Sequence, residues 1–81
     1  MPFKEGERTI TGRERIFSDY SGDPNVPHAE NFIDIEPVGD KTLAIYQGRE
    51  PNDPGGKVIL EGITSLVIND RKIDWVEEVK Q

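Results

Sequence analysis

The segment whose residue types best suit a binding site runs from Ser18 to Glu30 and reads SDYSGDPNVPHAE. It lacks a periodic apolar pattern and is rich in turn-forming Asp, Asn, Gly and Pro, so we expect a long surface loop. Such loops are uncommon in small domains and often functional. Asp19, Tyr20 and Asp23 are the candidate contacts for a protein partner, because Tyr is enriched at interfaces. A surface excursion between two strands without a function is the alternative interpretation.

The same loop has oxygen-bearing side chains spaced for a metal ion. Asp19, Asp23 and Asn25 could supply ligands to calcium. An EF-hand loop that began at Asp19 would place Pro24 at its sixth position, where glycine is needed, so we exclude that motif. His28 is the single histidine and there is no cysteine, so the usual zinc and transition-metal ligand sets cannot be built. An irregular calcium loop is the alternative left open, and we predict no metal or cofactor site.

Catalytic motifs are missing from the sequence. Ser18 and Ser21 share the loop with His28, but nothing around them resembles the turn that presents a nucleophilic serine. The run from Gly55 to Lys57 lacks the rest of a phosphate-binding loop and the helix behind it. A chain of 81 residues also has little room for a pocket that excludes water. We therefore expect a protein that is not an enzyme.

Basic residues are concentrated near the start of the chain, at Arg8, Arg13 and Arg15. Glu7 and Glu14 lie among them, and the whole chain has 16 acidic against 10 basic residues and a formal net charge of -6. Phosphate backbones would repel such a chain, so direct nucleic-acid binding is disfavoured. We expect an edge strand whose charges prevent aggregation. In the alternative, the three arginines contact a small anion at a subunit interface.

Two aromatic residues lie within predicted strands. Tyr46 has the opposite strand parity from Leu43 and Ile45, so we expect it on the face away from the core, as a contact for a partner protein or a second subunit. Trp75 follows Ile73 at strand spacing, and we assign it to the core.

The composition predicts one small all-β domain, because Ile and Val outnumber Leu and Met and there are eight Gly and six Pro. We expect a loose N-terminal arm at 1–6 and a hairpin turn at 69–72. Apolar residues on both faces of 57–68 suit a strand covered on both sides, or one that crosses between two sheets at Gly62. Whether 75–80 continues a strand or forms a helical turn is open. The predicted architecture is a five-stranded antiparallel barrel, SH3-like in strand count and loop lengths, with strands at 8–17, 31–36, 42–47, 57–68 and 72–78.

These features together predict a non-enzymatic module that binds another protein, with an acidic surface suited to an inhibitor or adaptor that covers a basic surface of its partner. The alternative is a homo-oligomer with a structural or small-ligand-binding role and sites at its subunit interfaces. The sequence shows no signal peptide and no membrane-spanning run, so we expect a cytoplasmic protein that does not bind membranes.

Overall fold

A computed structural model describes residues 3–20 and 29–77, and these residues form eight β-strands and no helix. The strands make two four-stranded antiparallel sheets: sheet I, in the order β2-β1-β8-β7, and sheet II, in the order β3-β4-β5-β6. The all-β prediction is confirmed. No helix among these residues is long and apolar enough to cross a membrane. The strands are β1 (Phe3–Glu5), β2 (Arg8–Ile10), β3 (Glu14–Ser18), β4 (Glu30–Gly39), β5 (Thr42–Glu50), β6 (Gly56–Leu60), β7 (Ser65–Ile68) and β8 (Arg71–Trp75).

The five-stranded barrel is wrong in both strand count and closure, since neither sheet closes on itself. Two of the predicted strands each divide into a strand of sheet I and a strand of sheet II. The predicted strand at 8–17 is β2 and β3, which separate around Gly12. The predicted strand at 57–68 is β6 and β7, and Gly62 lies between them with a φ of 71°. The chain therefore crosses between the sheets near two glycines, Gly12 and Gly62, whereas a crossing was proposed for Gly62 alone.

The predicted loose arm is partly a strand. Residues Phe3–Glu5 form β1, which lies between β2 and β8 in sheet I. Phe3 is fully buried and is the residue opposite both Ile10 and Trp75. The Phe3 and Trp75 rings meet edge to face, with centroids 5.0 Å apart. Phe3 thus anchors part of the segment that was predicted to be loose.

Both predicted hairpins are confirmed. β4 and β5 pair from Glu30↔Glu50 onwards, so this hairpin is longer than the predicted strands 31–36 and 42–47. The β7–β8 turn is shorter than the predicted 69–72, because Arg71 and Lys72 already belong to β8; its two residues have positive φ, 52° at Asn69 and 62° at Asp70. Asn and Asp tolerate this conformation, and it matches the twist of the flanking strands.

The core lies between the two sheets. Each sheet contributes three buried apolar residues, and Trp75 packs against them while only partly buried. The six buried residues of this cluster are Phe3, Ile10 and Ile73 from sheet I and Ile16, Ile35 and Leu43 from sheet II.

Candidate functional site

One face of sheet II, on the side away from the core, carries a cluster of charged side chains. Because side chains alternate along a strand, Asp34 of β4 lies on the opposite face from the core residue Ile35. Arg15 of β3 and Tyr46 of β5 are the residues directly opposite Asp34 on its two neighbouring strands. Arg13, just before β3, reaches the same carboxylate. We call Arg13, Arg15, Asp34 and Tyr46 the Asp34 cluster.

Asp34 is the buried centre of this cluster, with a relative exposure of 5%. Arg13 Nε donates to its Oδ2 at 2.9 Å, and Arg15 Nε donates to its Oδ1 at 2.9 Å. A carboxylate is costly to bury unless it is paired and hydrogen-bonded. Two guanidinium groups on one carboxylate satisfy that condition, so the cluster holds β3 against β4.

Each guanidinium of the cluster also lies over an aromatic ring. Arg13 Cζ is 3.9 Å from the Tyr46 ring centroid, and Arg15 Cζ is 4.5 Å from that of Phe32. The Tyr46 hydroxyl donates to Glu36 Oε1 at 2.6 Å, and this bond to a carboxylate raises the pKa of Tyr46. Tyr46 lies on the face away from the core as predicted, but Arg13 of its own chain occupies one face of its ring.

Arg15 extends the cluster to the far ends of β4 and β5. Its Nη2 donates to Glu50 Oε1 at 2.6 Å and its Nη1 to Glu50 Oε2 at 3.1 Å, a bidentate pair. The bond from Arg15 lowers the pKa of Glu50. Glu30 also contacts Arg15, at 3.4 Å, and accepts a hydrogen bond from the Ser18 hydroxyl. All these partners are side chains of this chain.

Arg8 belongs to a separate ion-pair network that joins the sheets. Its guanidinium contacts Glu5 at 2.6 Å and Glu14 at 2.7 Å. Glu5 accepts two further hydrogen bonds from Arg71, both at 2.7 Å. The bonds from Arg71 and then Arg8 lower the pKa of Glu5 to about 2. Since Glu14 lies in sheet II and the other three residues lie in or beside sheet I, the network connects the sheets through charged groups.

The three arginines predicted to contact an anion therefore do not form one cationic site. Arg13 and Arg15 share Asp34, whereas Arg8 pairs with other carboxylates. The predicted edge location is confirmed, because β2 and β3 are both edge strands. An anion would have to compete with carboxylates that these arginines already bind.

Asp19 binds Asn31, on the other side of the predicted loop. Asp19 Oδ1 accepts from the Asn31 backbone N–H at 2.7 Å, and Oδ2 accepts from its side-chain amide at 2.8 Å. These bonds lower the pKa of Asp19. Tyr20 is half-buried, and its backbone N–H donates to Ser18 Oγ at 3.1 Å. The observed contacts give Asp19 a structural role, and its contact with a partner stays a prediction.

Several residues singled out in the loop lie outside the described residues. They are Ser21, Asp23, Pro24, Asn25 and His28. Within the described ranges, no group of three or more His, Cys, Asp or Glu side chains is arranged to hold a metal ion.

A groove of about 420 Å³ lies where the end of β2 approaches the end of β4. None of its lining residues has a titratable side chain, so the groove offers no acid or base for catalysis. It is lined by Thr9, Ile10, Thr11, Pro37, Val38 and Gly39.

The β6 edge of sheet II is the surface that the sequence interpretation missed. β6 pairs with β5 and with no other described strand. Val58 is 57% exposed and Ile59 is 47% exposed, although both belong to the stretch that we expected either to be covered on both sides or to cross between two sheets. The one signal in the sequence was a run of apolar residues with both parities, and such a run does not distinguish a central strand from an edge strand.

Comparison of the chain with protein-family models, curated proteins and solved structures finds no match. Its function must therefore be argued from its own surfaces. Two of them stand out: the Asp34 cluster, whose charges are paired within the chain, and the apolar edge at β6.

Proposed function

We propose that this chain is a non-enzymatic protein–protein interaction module and that it binds through the outer edge of β6. The observation that supports this best is the exposure of two large apolar side chains, Val58 and Ile59, on opposite faces of one edge strand. An edge strand offers backbone N–H and C=O groups to an added strand, and its side chains supply the specificity.

The two faces of β6 offer different surroundings to a partner. Val58 lies opposite Ile45, a residue that packs against the core, so its side chain extends the core side of sheet II. Ile59 lies opposite Ala44 on the other face. A strand added to β6 would therefore contact an exposed apolar side chain on each face of the sheet, Val58 on one and Ile59 on the other.

The other described edges are better protected against pairing or expose fewer large apolar side chains. β3 has an irregular register between Arg15 and Phe17, and bulges of this kind interrupt pairing. β2 has only three residues and includes Arg8. β7 alternates between exposed and half-buried residues, with Val67 as its one exposed large apolar side chain. β6 has a regular register and exposes two large apolar side chains, with Lys57 as its one charged residue, which is the reason for placing the interaction there.

In addition to the β6 edge, the charge distribution supports a contact between the acidic surface of this chain and a basic surface of a partner, as for an acidic inhibitor or adaptor. Four arginines are paired with carboxylates of the same chain. Their positive charge is therefore compensated internally, and exposed acids such as Glu7, Glu61 and Asp70 contribute to a net charge of -6. Complementary charge accelerates association and makes it sensitive to salt.

The test is site-specific photo-cross-linking in the cells that produce the protein. A photo-reactive benzoyl-phenylalanine replaces Ile59 in one variant and Lys72, an exposed residue of β8, in the control. We expect protein adducts from position 59 that exceed those from position 72. Equal yields from the two positions would overturn the assignment of β6 as the binding edge.

A further inference from the structure

We propose that the strand bound at the β6 edge is β6 of a second copy of this chain, in antiparallel register about a twofold axis at Ile59. This inference rests on the proposed function, because it uses the same edge and names its occupant. The five residues that carry it are consecutive and read Lys-Val-Ile-Leu-Glu; the first four belong to β6, and Glu61 directly follows the strand and would extend it in the pair.

Symmetry leaves few registers for such a pair. Residues directly opposite each other in an antiparallel ladder have side chains on the same face, and faces alternate along the strand. A twofold axis perpendicular to the sheet keeps each side chain on its face. Residues directly opposite each other must therefore differ by an even number of positions, so the axis lies midway between one residue and its own copy. Within the apolar part of β6 the axis can pass at Val58, Ile59 or Leu60.

The register centred on Ile59 matches charge with charge and apolar with apolar. It places Lys57 opposite Glu61 of the second copy, and the symmetry repeats this pair on the other side. Val58 then faces Leu60, and Ile59 faces its own equivalent. Opposite charges and apolar pairs placed directly across a ladder are stabilising.

The neighbouring registers lose this match. An axis at Val58 places Lys57 opposite Ile59, and an axis at Leu60 places Ile59 opposite Glu61. Each puts a charged side chain against an apolar one. The sequence is therefore complementary to itself in one register alone of the three.

The pair would extend both the sheet and the core. Sheet II of each copy would join into one eight-stranded sheet with β6 of both copies at its centre. Leu60 lies opposite the fully buried Leu43 on β5, so the Val58–Leu60 contacts would continue the core face of the sheet. Lys57 lies on the other face, with its Nζ 5.8 Å from the Tyr46 ring centroid.

Sedimentation equilibrium with charge reversals tests the pair and its register. The measurement is made at about 0.15 M salt, where the screening length of about 8 Å limits the general repulsion between two acidic copies. Lys57→Glu creates two acid–acid pairs in the dimer, and Glu61→Lys creates two base–base pairs. We expect each single variant to dimerise roughly tenfold more weakly than the unaltered chain. Lys72→Glu and Glu7→Lys make the same charge changes away from β6 and serve as matched controls.

Two combinations restore the charge match. The double variant Lys57→Glu/Glu61→Lys exchanges the charges within each chain and should dimerise as the unaltered chain does. An equimolar mixture of the two single variants should form heterodimers, because each then supplies the charge that the other lacks. Dimerisation without restoration by either combination would overturn the register.

The outcomes separate this inference from the proposed function. A chain that is monomeric at all concentrations, but whose position 59 cross-links to a different protein, would overturn self-pairing and leave the interaction edge standing. A monomer with no adduct from position 59 would overturn both. A dimer whose affinity is unchanged by Lys57→Glu and by Glu61→Lys would contradict pairing through β6.

Discussion

Arg15 and Asp34 lie directly opposite each other on β3 and β4, and Arg15 Nε donates to Asp34 Oδ1 at 2.9 Å. Arg15, one of the basic residues concentrated near the start of the chain, therefore links two neighbouring strands of its own sheet. The arginines that could have bound an external anion instead bind carboxylates of their own chain. Because these positive charges are compensated within the chain, we propose that recognition takes place at the apolar edge of β6 instead.

The first prediction concerns the buried carboxylate. Asp34→Ala should lower the free energy of unfolding by about 2 kcal/mol, because it removes two charge-assisted hydrogen bonds and leaves both guanidinium groups unpaired at that position. Urea denaturation followed by the fluorescence of Trp75, the single tryptophan, measures this loss. Glu7→Ala, at an exposed turn position, is the control and should change stability by less than about 0.5 kcal/mol. Equal effects of the two substitutions would show that the Asp34 cluster does not stabilise the fold.

The second prediction concerns acid stability. Glu5 has an ordinary pKa of 4.5, and Arg71 and Arg8 lower it to about 2 in the folded chain. Because the pKa of Glu5 is lower in the folded chain, ionised Glu5 adds to the free energy of unfolding above about pH 4.5, and this stabilisation is lost as the pH falls towards 2. Glu5→Gln should therefore flatten the pH dependence of stability within that window. Urea titrations at several pH values measure the slope, and an unchanged slope would contradict the role of Glu5.

The third prediction compares two glycines. A Cβ added at Gly48 would lie 2.9 Å from the Gly55 Cα and 2.9 Å from the Asp53 Cγ, closer than atoms can approach without a shift. Gly48→Ala should cost about 1–3 kcal/mol through this overpacking. Gly12 has nothing within 4 Å of the same position, so Gly12→Ala should be neutral or slightly stabilising. Thermal unfolding separates the two, and similar melting temperatures would argue against close packing of the 51–55 segment on β5.

Much of the fold could be predicted from local patterns. Alternating apolar residues predicted the β4–β5 hairpin, and the Asn69–Asp70 turn predicted the β7–β8 hairpin. Both are local structures, in which nearby residues determine turn and register.

The rest of the fold depends on partners far apart in sequence. The pairing of β1 with β8 buries Phe3 against Trp75, and neither segment alone predicts it. The same limit applies to the site. No spacing rule predicts that Arg13 and Arg15 converge on Asp34, 21 and 19 residues away. The apolar run in β6 predicted a strand but could not show that nothing in the described chain covers its outer edge.

The fourth prediction concerns the contact between Asp19 and Asn31. Asp19→Ala and Asn31→Ala should each lower stability by about 1 kcal/mol, because the Asp19 carboxylate accepts hydrogen bonds from the side-chain amide and the backbone N–H of Asn31. The double variant should lose less than the sum of the two single losses, since the same contact is removed only once. A double-mutant cycle in urea gives the coupling free energy. Strict additivity would mean that the contact is not formed in solution.

The most direct test of self-pairing at β6 uses the absence of cysteine in this chain, which makes any introduced cysteine the single thiol. In the register centred on Ile59, two copies of that residue face each other across the ladder, within the distance that a disulfide spans. Two copies of Val58 are offset along the strand and lie too far apart to be bridged. Under mild oxidation, Ile59→Cys should form covalent dimers much faster than Val58→Cys and than Val67→Cys on β7, as followed on non-reducing gels. Equal rates for the three variants would contradict the pairing of β6 with a second copy.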